Sequence, residues 1–98
     1  MANYAVISTW NVPTTETNMS MLLQVIVPDV AKEPGFVLGR WTAPESEGGD
    51  SVDYTEYDNR EAADQSVRNM TAGSGTPEAK AAGVTLVGVV VREVVASA

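Results

Sequence analysis

The chain contains no cysteine and no histidine, and these two absences exclude more chemistry than any residue present suggests. Without cysteine there is no disulfide framework and no thiolate nucleophile. Without histidine there is no Ser-His-Asp triad and no imidazole-ligated haem, and the two absences together exclude a Cys/His zinc site. Proton transfer near neutrality then falls to carboxylates, tyrosines or lysine with a shifted pKa. Positive charge is scarce: six Lys and Arg stand against thirteen Asp and Glu, a formal charge of −7. The six (Lys32, Arg40, Arg60, Arg68, Lys80, Arg92) are scattered with no two adjacent. A phosphate-binding surface needs them clustered, so nucleic acid is not an expected partner. Long hydrophobic runs are missing as well. The longest, residues 83–91, is about half of the roughly 20 residues that a membrane span requires. The start, Met-Ala-Asn-Tyr-Ala, lacks the basic region of an export signal. A cytoplasmic protein with no membrane partner is the expectation.

What is present predicts one domain of alternating elements, since 98 residues suit a single core. Residues 4–12 are rich in β-branched and aromatic types and run into Pro13, which predicts a first strand ending at a turn. Thr14 or Thr15 then caps a helix whose dipole Glu16 favours. Met19, Leu22, Leu23, Ile26 and Val30 recur at helical spacing and predict an amphipathic face. Pro28 inside that helix predicts a kink or a restart, and Pro34-Gly35 ends it. A second strand over 36–42, a Gly/Pro-rich hairpin loop and a third strand over 51–57 come next. Asp58 with Glu61 resembles a capping box opening an Ala-rich helix, and Thr76, Pro77 and Gly83 frame a short helix around 78–82. The last strand is predicted over 84–95. The order β-α-β-β-α-β, with one extra small helix, is the ferredoxin-like α+β arrangement, a four-stranded antiparallel sheet with helices on one face. The first and third strands are expected at its centre, parallel to each other through a right-handed crossover.

The last strand does not alternate. One face reads Val84, Leu86, Gly88, Val90 and the other Thr85, Val87, Val89, Val91. The first strand is similar, so both faces of the sheet call for cover although helices supply it to only one. Burying each such valine is worth about 1.5–3 kcal/mol. A twofold, face-to-face dimer covers the same patch twice, and a homodimer is therefore expected, with residues 92–98 reaching across the seam. The competing expectation is a monomer whose extra valines lie under the loop at 73–76.

Tyr54 and Tyr57 alternate onto opposite faces of the third strand, and with Arg40 across the hairpin they are candidates to set a phenol and a cation along one cavity wall and bind a phenolate or carboxylate. The alternative is packing tyrosines and an arginine paired with Glu56. Asn11 reads equally as a turn cap. The run Glu45, Glu47, Asp50, Asp53, Glu56, Asp58 lacks the spacing of a calcium loop and fits a solvated hairpin, so no metal is expected. Gly73-Ser-Gly-Thr-Pro reads as a lid or linker.

The length, the element order, the Glu33-Pro-Gly-Phe36 junction, the Tyr57-Asp-Asn-Arg-Glu-Ala-Ala63 passage and the valine-rich last strand together resemble the dimeric α+β barrel superfamily. Within it they resemble the antibiotic-biosynthesis-monooxygenase-like domains. The resemblance implies a homodimer and, in each subunit, a pocket between sheet and helices for a small apolar or aromatic molecule. It implies oxidation without metal, flavin or other cofactor, the ionised substrate itself supplying electrons to oxygen. An asparagine near the end of the first strand and a cavity tryptophan are typical of that group. Asn11 and either Trp41 or Trp10 are the matching positions. Asn11 and Tyr57 are thus the candidate catalytic residues, and Trp41, Tyr54 and Arg40 the candidate substrate-binding residues. The rival expectation is a non-catalytic ligand-binding or stress-associated dimer, because fold alone does not fix function.

Overall fold

Alternation, capping and proline placement explain most elements of the computed structural model, which describes residues 2–98. Strands β1 (Tyr4–Asn11), β2 (Phe36–Arg40), β3 (Ser51–Tyr57) and β4 (Thr85–Glu93) form one sheet in the order β2-β3-β1-β4. It is the expected ferredoxin-like α+β sheet, with one correction. β1 and β3 are antiparallel, Tyr4 standing opposite Tyr57 and Trp10 opposite Ser51. β3 and β4 share a direction, each being antiparallel to β1, and so do β1 and β2, each being antiparallel to β3. The helical crossover joins those two, and the hairpin then inserts β3 between them.

The crossover comprises α1 (Glu16–Met21), a π-helical segment (Leu22–Ile26) and α2 (Val27–Ala31). Thr15 Oγ1 caps it by accepting the Asn18 N–H at 3.1 Å. Pro28 has no N–H for the carbonyl four residues back. The chain answers with a wider turn, in which the Val27 N–H reaches the Leu22 carbonyl. The extra residue rotates the helix around its axis at this point. Of the apolar residues predicted at helical spacing, Leu22 and Val30 are half-buried, while Met19 and Ile26 are exposed and Leu23 is 64 % exposed; no residue of the three segments is buried.

The helix stops at Gly35, whose φ of +79° suits glycine. Its carbonyl accepts the Asp58 N–H at 2.8 Å. A Cβ there would stand 2.9 Å from Asp58 Oδ1 and 3.0 Å from the Ala62 Cβ. Gly35→Ala should lower the unfolding free energy by about 1–3 kcal/mol, from backbone strain plus crowding. Urea denaturation reads this directly, and a loss below about 0.5 kcal/mol, the size of an ordinary surface change, would contradict the geometry.

Helix α3 (Arg60–Ser74) is capped by Asn59, whose Oδ1 accepts the Ala62 N–H at 2.8 Å. Asp58, the cap expected from sequence, is committed elsewhere, its Oδ1 accepting from the Asn59 amide. Helix α4 (Pro77–Ala81) is framed by Thr76 and Gly83 as expected. α3 lies over one face of the sheet. There Val6, Tyr57 and Ala63 are buried, with Phe36, Val67, Met70, Val89 and Val91 packed around them. Phe36 meets Tyr57 edge-on at 6.1 Å between ring centroids.

β4 departs from strict alternation. Thr9 faces Gly88 while Trp10 faces Leu86, so Val87 is a bulge. Leu86 consequently shares the helix side with Val89 and Val91 rather than the open side with Val90. Val87 and Val90 are 53 % and 40 % exposed, and the loop at 73–76 does not cover them. No helix among the described residues is long and apolar enough to cross a membrane.

Candidate functional site

The strand registers line up three rows on the helix side of the sheet. The first is Gly39, Thr55, Val6 and Val91; the next holds Asp53, Ser8 and Val89; the last is Ser51, Trp10 and Leu86. α3 covers the first row. The crossover begins beside α4, where Asn18 Nδ2 donates to the Ala82 carbonyl at 3.3 Å, and ends against β2. None of its residues is buried.

Trp41 belongs to this side too. Its indole lies so close over Gly39 that a Cβ there would be 2.6 Å from Cη2 and 2.7 Å from Cζ3. Gly39 faces Thr55 and Arg40 faces Tyr54, so the next step of the register brings Trp41 opposite Asp53. Gly39→Ala should displace the indole at a stability cost of about 1 kcal/mol. The check is tryptophan emission, and an unshifted spectrum would contradict this placement.

Between the two indoles the floor is polar. Asp53 Oδ1 accepts the Thr42 N–H at 3.1 Å, and burial pushes the carboxyl above the usual range, partly opposed by that bond. Thr55 is 2 % exposed and its Oγ1 has no hydrogen-bond partner. It lies close enough to the Tyr57 phenol to act on it weakly, without reaching hydrogen-bond geometry. Ser8 is buried beside them. Close-packed cores satisfy such groups or replace them with apolar ones. Asp53, Thr55 and Ser8 form a polar strip on the helix side of the sheet.

Tyr57 stands at the closed end. Its hydroxyl donates to Glu33 Oε1 at 2.5 Å, and Ser66 Oγ lies 2.8 Å from the same oxygen. With the phenol proton directed at Glu33, Ser66 donates. Asn69 Nδ2 donates to the other Glu33 oxygen at 3.0 Å. Burial and the Glu33 bond push the phenol up to about 12, so it is protonated at neutral pH. This network ties β3, the α2–β2 turn and α3 together. A hollow of about 340 Å³ opens beside it, lined by Glu33, Gln65, Ser66 and Asn69 among others.

The remaining candidates lie elsewhere. Arg40 and Tyr54 are register partners on the opposite, helix-free face. The Tyr54 hydroxyl donates to Glu56 Oε1 at 2.7 Å, the bond that chiefly pushes this phenol up to about 12. Arg40 does not bridge to Glu56; its Nη1 donates to the Gly39 carbonyl at 2.8 Å. Tyr54 and Tyr57 therefore do not share a wall. Asn11 Nδ2 donates to the Gly48 carbonyl at 2.9 Å and to Asp50 Oδ1 at 3.0 Å, fastening the end of β1 to the β2–β3 loop. The sequence reading missed Asp53, Thr55, Ser8, Glu33 and Ser66. Its available signal was the alternation of Ser51, Asp53 and Thr55 in step with Tyr57.

No family model matches the sequence, and no curated protein matches it. Solved structures do share its fold. SnoaB, a cofactor-independent oxygenase from Streptomyces nogalater, aligns over 100 % of this chain and 96 % of its own at 10 % identity, with a TM-score of 0.57. An ethyl tert-butyl ether d (EthD) family protein from Bacillus halodurans aligns over 94 % and 97 % at 17 % identity, TM-score 0.49. A Deinococcus radiodurans protein provisionally assigned as an antibiotic biosynthesis monooxygenase aligns over 95 % and 93 % at 19 % identity, TM-score 0.44. The chain has the α+β ferredoxin-like fold, which it shares with SnoaB.

Proposed function

We propose that the protein is a homodimeric barrel in which each subunit holds a flat aromatic metabolite between sheet and crossover helix and oxidises it with dioxygen, without metal or flavin. One observation carries the binding step: on the helix side of the sheet polar Asp53 and Ser8 stand between the row of Trp10 and that of Gly39, the glycine the Trp41 indole lies over. Indole faces stack flat rings, and an apolar site with few convergent polar groups is the usual form of a small-molecule pocket. The oxidation step is supported by the shared fold with SnoaB, described as a cofactor-independent oxygenase.

The dimer rests on the open face. Val52, Val87 and Val90 are exposed there, and Val95 beyond the last strand is 92 % exposed. Glu56 is 7 % exposed, holds hydrogen bonds from Tyr54 and the Asn3 amide, and has no cation partner among the described residues. Arg40 and Arg92 donate only to neighbouring main-chain carbonyls. A second copy offers valines to valines and an arginine to Glu56, which makes the face self-complementary.

A non-catalytic ligand-binding role is the second reading, favoured by Asn11, whose amide is occupied by the β2–β3 loop. An oxygen electrode separates the two. A panel of anthrones and quinols should include a compound whose oxygen uptake is accelerated by the protein and unaffected by chelators. Quenching of Trp10 and Trp41 by a panel member without any uptake would establish the second reading, and neither effect would remove the site.

A further inference from the structure

The strand registers also order the helix-free face into rows. Leu38, Glu56, Ala5 and Arg92 stand side by side on β2, β3, β1 and β4, and the next row holds Arg40, Tyr54, Ile7 and Val90. Glu56 and Arg92 are therefore two strands apart, roughly 10 Å, with buried Ala5 between them. They do not pair within the chain. Arg92 is exposed, and its Nη1 turns to the Val91 carbonyl at 3.0 Å. Glu56 is 7 % exposed and accepts from the Tyr54 hydroxyl and the Asn3 amide, each at 2.7 Å. Both donors are neutral, so among the described residues this buried carboxylate lacks a counter-charge.

The geometry points to Arg92 of a second copy as that counter-charge, with the twofold axis of the dimer running along β1. The inference rests on the dimer proposed above and fixes how its two sheets are set against each other. In face-to-face packing the axis lies between the sheets. Directed along the strands, it keeps each residue's position along its strand and exchanges left for right across the sheet. Placed over β1, it sets β3 of one copy on β4 of the other. Glu56 then meets the partner subunit's Arg92, and Arg92 meets the partner subunit's Glu56. Symmetry forms both ion pairs at once. Ala5 meets its own counterpart on the axis, where a small side chain lets the sheets approach, and Val90 meets the partner subunit's Tyr54. Packed sheets stand about 10 Å apart, a gap that an extended arginine and a glutamate bridge together. Arg40 is the other cation of this face. It stands on the edge strand β2, which under this axis projects beyond the partner's β4 and meets no acid. An axis running across the strands through the Glu56 row would set acid on acid.

The test is charge reversal with mixing, read by sedimentation equilibrium. Glu56→Arg alone and Arg92→Glu alone each bring like charges together twice in a homodimer, and each should raise the dissociation constant at least about a hundredfold. An equimolar mixture of the two variants should restore the dimer to within about tenfold of wild type, because every acid again faces an arginine across the axis. Pairing within one chain predicts no such recovery, since each variant chain carries two like charges. Glu56 is buried, so milder variants supply a second test should Glu56→Arg not fold. Arg92→Ala should weaken association at least about tenfold in wild type and have no further effect beside Glu56→Gln. Arg40→Ala should leave association unchanged within about twofold, as an ordinary surface change does. A mixture of folded variants that stays monomeric, an Arg92→Ala effect that persists beside Glu56→Gln, or an equal loss on Arg40→Ala would overturn the pairing while the dimer stands. Wild-type protein that sediments as a monomer would overturn the pairing and the dimer together.

Discussion

Tyr57→Ala should lower the unfolding free energy by about 3–5 kcal/mol, the usual consequence of deleting a fully buried aromatic ring. The side chain is completely buried, with Val6 and Ala63 around it and Phe36 against its edge. Among the described residues, only Ala5, Val6, Tyr57 and Ala63 make up the buried apolar core. Losing its one large ring therefore removes a disproportionate share. Removal also strands Glu33, whose carboxylate the phenol holds at 2.5 Å, and an unpaired acceptor adds to the cavity cost. Tyr57→Phe separates the two contributions: it keeps the ring and loses the hydrogen bonds, for about 1–2 kcal/mol. The pH dependence supplies an independent sign. The folded-state phenol is pushed from 10.0 up to about 12, so the native state holds this proton more tightly than the unfolded chain. Stability is then complete below pH 10 and declines between about 10 and 12. Tyr54 titrates in the same window through its bond to Glu56, so the comparison is of slopes. Tyr57→Phe should flatten the alkaline decline; an unchanged slope would show that the Glu33 network carries no stability.

The outline of the fold was legible where local chemistry decides it. The third strand, 51–57, is the observed Ser51–Tyr57, and the first exceeds Tyr4–Asn11 by one residue. Thr15, Thr76-Pro77 and Gly83 mark helix ends because capping depends on neighbours in sequence. Failures arose where distant groups decide. The direction of β3 relative to β1 depends on which strands the crossover joins. The Val87 bulge is a property of the β1–β4 register. Pro28 was visible, but the π turn that precedes it was not. Asn59 is the cap instead of Asp58, whose Oδ1 accepts from the Asn59 amide and whose N–H is held by the Gly35 carbonyl, twenty-three positions back in sequence. Among site candidates, residue type identified the indoles and phenols. Asp53 was lost inside an acidic run, since its burial becomes visible only when Ser8 and Trp41 are placed beside it.

The second large effect concerns the open face. Val90→Asp should shift the assembly from dimer to monomer, raising the dissociation constant by at least about a thousandfold. Val90 stands opposite Ile7 on the helix-free side and is 40 % exposed in the single chain. Twofold symmetry places every substitution in the interface twice. Two valine contacts worth about 1.5–3 kcal/mol each would be lost, and two carboxylates would be desolvated without a cation, at several kcal/mol more. A thousandfold change needs only about 4 kcal/mol. Glu56→Gln acts on the same face by a different route, removing the buried charge that an arginine of the second copy would satisfy in the proposed dimer. It should weaken association more modestly, and by less at high salt, where the pair is already screened. Sedimentation equilibrium at micromolar concentration reads both. Wild-type protein sedimenting as a monomer would reject the interface. A dimer that survives Val90→Asp unweakened would place the contact on another surface, leaving Val87, Val90 and Val95 exposed in the assembled protein as in the isolated chain.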